Sequence, residues 1–287
     1  MRIQALQMKK KDRESIRFIS PPDMPYIQVV HGANVTNEFT RHVHHKFCIG
    51  TVHKGARLIL QRGASAVIPE NAIFAINAGM PHSCGSQSDN GHDYSAICVG
   101  TEKLRDIASQ ISEKTQVVPY VRSLVLFDAE LGSKMNGLFF LIAQGDSILQ
   151  RESVLVSILS AMIMRYGDSP PTPCRVGPQH GAIVRVCRFI RAHFAENLSL
   201  EELSKVACLS PFHFQRLFVK NTGVSPHEYV IESRIKRAKE LLLQGRSIAG
   251  AAVDTGFFDQ SHFTRSFKQI IGITPGRYLE LHRKQPF

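Results

Sequence analysis

One stretch of sequence occurs twice in the C-terminal part of this 287-residue chain. The first copy, from His213, reads HFQRLFVKNTGVSPHEYV, and the second, from His262, reads HFTRSFKQIIGITPGRYL, 49 residues further on. Histidine, phenylalanine, arginine, glycine, proline and tyrosine all recur at that single offset. A repeat of this detail indicates that the chain builds the same structural unit twice.

Start and stop signals place a helix, a tight turn and a second helix around each copy. A serine or an aspartate stands where each helix should begin, because its side chain can accept a backbone N–H of the first turn. Proline at the first helical position and glycine just past the last one mark the same limits. The predicted caps are Ser199, Ser210, Ser225 and Asp259, and glycines 223 and 272 end the second helix of each unit.

This order is that of a helix-turn-helix, whose second helix can enter the major groove of DNA. Helical spacing predicts that Phe214, Leu217 and Phe218 are buried in the first copy. In the second copy, it predicts burial of Phe263, Phe267, Ile270 and Ile271. The opposite faces carry Pro211, Phe212, Gln215, Arg216 and Val219 in the first copy, and Gln260, Ser261, Thr264, Arg265 and Lys268 in the second.

Those outward faces have the chemistry needed to read base edges. Arginine can donate two hydrogen bonds to guanine, and glutamine can pair with adenine. The alternative for Arg216 and Arg265 is a contact with phosphate, because most protein–DNA hydrogen bonds go to the backbone. The two turns differ at the 49-residue offset, where Ala207 stands opposite Gly256. A left-handed conformation at Ala207 would cost on the order of 1 kcal/mol, which a helical domain tolerates.

Length and charge agree with a two-domain protein that binds a polyanion. A chain of 287 residues with 43% hydrophobic residues is large enough for two cores. The net charge is +11, of which residues 181–287 carry +7, with 16 Lys and Arg against 9 Asp and Glu. Six separately placed cysteines, no secretory leader and no apolar run long enough to span a bilayer predict a soluble, cytoplasmic protein.

Composition also divides the chain. Four prolines between Asp168 and Gln179 predict an exposed linker. Before it, from Tyr26 to Val99, short β-rich runs separated by turn residues predict an antiparallel barrel or sandwich. A helical texture follows from Thr101 to Gly167, with clear candidates at Asp128–Ala143 and Gln150–Tyr166. The expected domains are residues 1–167 and 180–287, joined by the linker at 168–179.

From Gly181 to Leu281 the chain resembles the AraC/XylS family of bacterial transcription regulators, with its clearest signature at Ile248–Leu279. The resemblance implies two helix-turn-helix units joined by one long helix, here Pro226–Leu243, which sets the second helices about one DNA turn apart. By position, it implies base reading by Phe212, Gln215 and Arg216 in the first unit. In the second unit the same role falls to Gln260, Ser261, Thr264 and Arg265, with Lys268 on the same DNA-facing side.

The N-terminal runs RHVHHKFCIGTVHKG and FAINAGMPHSC resemble the cupin-like sensor domain common in that family, apart from Ala78, where the family has proline. The implied fold is therefore α+β, a cupin-like β-barrel with flanking helices followed by an all-α domain. His42 and His44 would share one face of a strand, and His82 would approach across a turn. We expect these three histidines and Cys48 to line an effector pocket. No glutamate follows the HxH pair, as it does in metal-binding cupins, so no metal or other cofactor is expected.

These observations predict a sequence-specific transcription regulator that is controlled by a small-molecule effector. We expect it to be an activator. Its partners would be double-stranded promoter DNA, a second copy of the chain through the helices of Thr101–Gly167, and RNA polymerase if it activates; no membrane partner is expected. Two alternatives remain open at this level. One is a metal-dependent cupin enzyme with a helical appendage, and the other is a nonspecific DNA-binding protein, which the basic C-terminal part would also suit.

Overall fold

The computed structural model of the chain describes residues 14–61, 63–145, 147–173 and 180–283. Internal contacts divide the chain into two units, residues 1–144 with 158–172 and residues 145–157 with 173–287. The predicted linker at 168–179 contains the main division, and its residues 174–179 lie outside the described ranges. No helix within the described ranges combines the length and apolarity that a bilayer crossing needs.

The N-terminal unit is built on two antiparallel sheets. One has the strand order β1-β2-β9-β4-β7-β10 and the other the order β3-β8-β5-β6. The strands are β1 (Ser15–Ile19), β2 (Ile27–Val35), β3 (Phe39–His42), β4 (Phe47–Lys54), β5 (Arg57–Gln61), β6 (Ala64–Ile68), β7 (Ile73–Ile76), β8 (His82–Ser86), β9 (His92–Val99) and β10 (Val125–Leu126). Apolar side chains from both sheets, among them Ile59 and Phe74, form a common core.

Six of these strands are the β-rich runs that the sequence predicts, namely β2, β4, β5, β6, β7 and β9. Four were not predicted. Strands β3 and β8 are four and five residues long, and β8 includes Gly85, so neither shows a strong β pattern. Strand β10 has two residues and pairs with β7, and β1 is exposed over most of its length. The antiparallel β architecture of the N-terminal domain is therefore confirmed.

Three helices follow β9, with β10 between the first two: α1 (Thr101–Ser112), α2 (Ala129–Gln144) and α3 (Ile148–Tyr166). The two predicted helices correspond to α2 and α3, and Asp128 caps α2 by accepting the Leu131 N–H at 2.9 Å. Between α1 and α2 the chain is not helical, in contrast to the expected texture. Asn77 holds this segment, because its side-chain amide donates to Val121 O at 2.7 Å and accepts the Val121 N–H at 2.9 Å.

The C-terminal unit contains the predicted helices and caps. Ser210 and Asp259 accept the N–H groups of His213 and His262. Ser225 and Glu228 form a reciprocal capping box. The helices are α4 (His180–His193), α5 (Leu200–Ala207), α6 (Pro211–Thr222), α7 (Pro226–Leu243), α8 (Ile248–Asp254), α9 (Gln260–Ile271) and α10 (Pro275–Arg283). Thus α5–α6 and α8–α9 are the two helix-turn-helix units, and α7 joins them.

Aromatic pairs form the cores of both units. In α6, Phe214 and Phe218 are fully buried with ring centroids 5.4 Å apart, and in α9, Phe263 and Phe267 are fully buried at 5.6 Å. On α7, Ile231, Ile235, Ala238 and Leu242 are buried in the core of the second unit. One prediction is wrong: Ile270 is 42% exposed, because it lies near the end of α9 beyond the aromatic core.

The two turns correspond in a different register from the one that the repeat suggests. The left-handed residues are Cys208, with φ of 56°, and Gly256, with φ of 78°, so they lie 48 residues apart. The expectation that Ala207 is the counterpart of Gly256 is therefore wrong. Helices α5 and α8 begin 48 residues apart, whereas α6 and α9 begin 49 apart, because the second turn, counted from its left-handed residue, is one residue longer.

A non-glycine residue in the left-handed region carries a backbone penalty, and Cys208 is one of four such residues in the described part of the chain. We expect Cys208→Gly to raise the free energy of unfolding by about 0.5–1 kcal/mol, since the relief of strain exceeds the entropy that glycine adds to the unfolded chain. Urea unfolding measures this change. Cys208→Ala is the control, and an equal gain in that variant would trace the effect to the thiol instead.

Candidate functional sites

A cavity of about 430 Å³ lies between the two sheets of the N-terminal unit. Its volume falls within the range of small-molecule sites in proteins. Most of the wall is apolar, with Phe39, Phe74 and Ile76 among the lining residues. Three of the polar side chains on the wall, His42, His44 and His82, lie close together, and such a cluster can orient a ligand in an otherwise apolar pocket.

The four residues predicted for an effector pocket all line this cavity: His42, His44, His82 and Cys48. The ring centroids of the three histidines lie 4.5–4.9 Å apart. The expected geometry is wrong in one respect, because β3 ends at His42 and His44 lies in the connection to β4. The two rings converge through the bend of that connection and not through strand alternation.

Backbone carbonyls orient two of these imidazoles. His42 Nδ1 donates to Thr40 O at 2.7 Å and His82 Nδ1 donates to Met80 O at 2.9 Å, which leaves both Nε2 atoms as acceptors. His44 Nε2 donates to His42 Nε2 at 3.2 Å. Burial lowers the pKa of His82, and burial together with the neighbouring histidines and Arg57 lowers the pKa of His44 to about 4. Both rings are therefore neutral at physiological pH.

The same three histidines could hold a divalent metal ion. One ligand nitrogen from each lies within 4.8 Å of the others, and neutral, carbonyl-oriented imidazoles are the form that binds metals. No carboxylate lines the cavity among the described residues, so the donor set would consist of nitrogen atoms alone. Such a set is compatible with zinc and unlike the carboxylate-containing sites of iron oxygenases.

Cys48 belongs to a close pair of thiols on the cavity wall. It lies opposite Cys98 across β4 and β9, with the two sulfur atoms 2.7 Å apart. The hydrogen bond to Cys98, together with burial, raises the pKa of Cys48 and keeps its thiol protonated. Cys48 therefore contributes a small, weakly polar surface to the pocket rather than a thiolate.

Sequence reasoning missed one residue of this site, Arg57 at the start of β5. Its side chain is only 5% exposed, although it lines the cavity. Nη1 donates to His92 Nε2 at 2.8 Å, and the guanidinium lies 4.0 Å from the centroid of the Tyr94 ring. The only sequence signal was a cation opening the apolar run RLIL, and strand alternation alone does not reveal what such a cation faces.

In the C-terminal unit, α9 presents its predicted residues to solvent. Gln260, Ser261, Arg265 and Lys268 are exposed and Thr264 is half-buried. Phe263 and Phe267, on the other side of the helix, hold it against α8 and α7. The five predicted residues therefore form one polar surface, with the Asp259 cap at its N-terminal end.

Helix α6 presents less of its predicted surface. Arg216 is exposed, but Phe212 is only 9% exposed, and the expectation that it lies on the outer face is wrong. Its ring packs beside His213 and 5.3 Å from the Arg216 guanidinium. Gln215 is half-buried, and its side-chain amide donates to Ser153 O at 3.1 Å in the part of α3 that groups with this unit.

A buried arginine connects α7 to the segment that follows α4, and the sequence analysis did not find it. Arg234, in the middle of α7, is 8% exposed. Its Nε donates to Phe194 O at 2.7 Å and its Nη2 to Glu196 O at 2.9 Å, just beyond the end of α4. A cation there satisfies carbonyl groups that have no helical partner. Burial lowers its pKa to about 10, so the side chain is charged at physiological pH.

Comparison with known proteins assigns both parts of the chain. Residues 25–159 match the family model of the AraC-like ligand binding domain, and residues 203–281 match that of a helix-turn-helix domain. The first match contains the strands β2 to β9, which supply most of the cavity wall, and the second contains α6, α7 and α9.

Individual proteins are similar to the chain over different lengths. The chain is 31% identical over 242 residues to the uncharacterised HTH-type transcriptional regulator YbfI of Bacillus subtilis, which covers 83% of this chain and 86% of that protein. It is 26% identical over 157 residues to the bifunctional transcriptional activator/DNA repair enzyme AdaA of the same organism, covering 53% and 74%. ToxT of Vibrio cholerae, a solved structure, is 14% identical with a TM-score of 0.35, covering 91% of this chain and 99% of that one.

Proposed function

The chain belongs to the AraC/XylS family of bacterial transcription regulators, and on that premise we propose that a small molecule in the N-terminal cavity controls how α6 and α9 bind promoter DNA. The main support is the pair of capped helix-turn-helix units, each of which exposes an arginine on its second helix, Arg216 and Arg265. The excess positive charge of residues 181–287 supports binding to a polyanion.

In this proposal, α9 reads base edges through Gln260, Ser261, Thr264 and Arg265, while Lys268 holds a phosphate. All five side chains lie on one surface of the helix. Arg216 has the corresponding role in α6. Gln215 can read a base only after its hydrogen bond to Ser153 O breaks, and the buried Phe212 supports Arg216 from below instead of contacting a base.

The effector would act by shifting an equilibrium between two arrangements of the regulator on DNA. A ligand moves such an equilibrium only to the extent that it binds one arrangement more tightly. We propose that the regulator is a cytoplasmic homodimer that activates transcription through RNA polymerase. Exposed phenylalanines at 127 and 140, beside and on α2, support a dimer face there. No covalent bond is made or broken in this mechanism, so we propose no catalytic role.

Replacing Arg265 tests the DNA-reading surface. Binding sites are first selected from random duplexes with the full-length protein, and affinities are then measured by footprinting at fixed salt. We expect Arg265→Ala to weaken binding to the selected site by about 5- to 150-fold, equivalent to 1–3 kcal/mol, and to relax the preference for one base pair, because a bidentate base contact is lost.

Arg105→Ala is the matched control, since it removes the same charge from an exposed position on α1 in the other unit. Unchanged affinity and an unchanged footprint for Arg265→Ala would reject the assignment of Arg265. A wild-type protein that prefers its selected site over random duplex by far less than about 1,000-fold would instead be a nonspecific DNA-binding protein.

A further inference from the structure

Arg57 places a positive charge inside the cavity without a compensating carboxylate. The side chain is 5% exposed, and within the described ranges it takes part in no ion pair and its Nε donor has no acceptor. No Asp or Glu lines the cavity among those residues. A buried cation is normally paired, because leaving water costs it several kcal/mol. The cavity therefore contains an unmet requirement for a negative charge.

The neighbours of Arg57 hold it in place without neutralising it. His92 accepts its Nη1–H and is itself neutral, since burial and the nearby guanidinium lower the pKa of His92 to about 4. Tyr94 and Phe74 lie beside the guanidinium, with ring centroids 4.0 and 5.4 Å from it. Aromatic rings and a neutral imidazole stabilise a cation in a fixed orientation but contribute no formal charge.

Two acidic side chains near His92 are bonded elsewhere. Glu14 and Asp93 lie close enough to influence His92. Glu14 accepts the Thr36 hydroxyl at 2.9 Å, and Asp93 accepts the Asn34 N–H. Neither of them lines the cavity. Among the described residues no carboxylate compensates Arg57, and an anionic ligand in the cavity would supply that charge.

We propose that the effector is a monocarboxylic acid with an apolar body, whose carboxylate binds the Arg57 guanidinium while the body occupies the apolar part of the cavity. This inference rests on the proposed function and specifies the chemical class of its effector. Arginine favours carboxylates because two parallel N–H groups match two oxygen atoms. One buried guanidinium matches a single negative charge better than a phosphate dianion.

Matched pairs of ligands test the proposal in the absence of DNA. Thermal unfolding of the full-length protein is followed with hexanoate, octanoate, benzoate and phenylacetate, and with the amide of each acid. EDTA is present so that coordination at the histidines plays no part. We expect at least one acid to raise the unfolding midpoint by roughly 5 °C at about 100 times its Kd, while its amide has almost no effect.

Variants then locate the contact. Arg57→Met should weaken binding of that acid by roughly 100-fold. Arg57→Lys should weaken it by less, because lysine keeps the charge but lacks the two parallel N–H donors of the guanidinium. Lys54→Met removes an equal charge from an exposed position at the end of β4, outside the cavity lining, and should change the affinity by less than about threefold. If Arg57→Met does not fold, the proposal is judged by the difference between the effects of each acid and its amide on the wild-type protein.

Three results would overturn the proposal: no acid of the panel shifts the midpoint, acid and amide act equally, or a folded Arg57→Met variant retains the response. Failure of the proposed function is measured separately, by DNA binding. Site-specific DNA binding without a response to any acid would refute the inference and leave the regulator intact. Acid binding that leaves the footprint unchanged would support the site and refute its control of DNA.

Discussion

Gly256→Ala is expected to destabilise the C-terminal unit by about 3 kcal/mol, because two penalties act at one position. The backbone φ of +78° disfavours any side chain with a Cβ, and that Cβ would lie 2.2 Å from Ala195 O. Backbone atoms cannot move aside as a flexible side chain can. Urea unfolding followed by circular dichroism measures the loss, and specific DNA affinity should fall with the folded fraction.

Gly223→Ala is the matched control for that variant. Gly223 has almost the same φ, +79°, but nothing lies within 4 Å of the Cβ that alanine would add. Only the backbone penalty applies, so the expected loss is about 1 kcal/mol. Equal losses in the two variants would show that the approach of Gly256 to Ala195 contributes nothing to stability.

Arg234→Met is expected to cost about 3 kcal/mol, since it leaves two carbonyl groups beyond α4 without their donor. These are Phe194 O and Glu196 O, which the guanidinium now satisfies together. Methionine preserves most of the aliphatic packing, so the loss reports the hydrogen bonds and not a cavity. The free energy of unfolding from urea titration is again the measured quantity.

The exposed Arg237, three residues along the same helix, provides the comparison. Among the described residues its guanidinium pairs with Glu240, at 2.7 Å. Exposed pairs of this kind contribute little, and Arg237→Met should change the free energy of unfolding by less than about 0.5 kcal/mol. If Arg234→Met were equally mild, the hydrogen bonds from α7 to the segment after α4 would contribute little to stability.

The C-terminal fold could be predicted from sequence because its determinants are local. Caps such as Ser225 with Glu228, the prolines that follow them and the aromatic spacing in α6 and α9 all act within a few residues. The contact of Arg234 with Phe194 O spans 40 residues, and no local pattern marks it. The burial of Phe212 escaped prediction for the same reason, since helical spacing predicts a face but not what covers it.

In the N-terminal pocket, too, contacts between residues far apart in sequence could not be predicted from local patterns. The β-rich runs and the proximity of His42, His44 and His82 were predictable from spacing and turn signals. The place of Arg57 depends on the packing of two sheets, which brings β5 opposite Tyr94 and His92 of β9. Such packing is set by many weak contacts between residues far apart in sequence, and a single charged residue in a short strand gives no sign of it.

The extra residue in the second turn limits how the halves of the DNA-binding domain can be exchanged. A chimaera that copies the second unit onto the first must align α8 with α5 at an offset of 48 and α9 with α6 at an offset of 49. A graft at one constant spacing would rotate the transplanted α5 counterpart by about 100°, since each residue turns a helix by that angle. Engineers who wish to re-target this regulator should transplant only the surface side chains of α9 and leave each native turn in place.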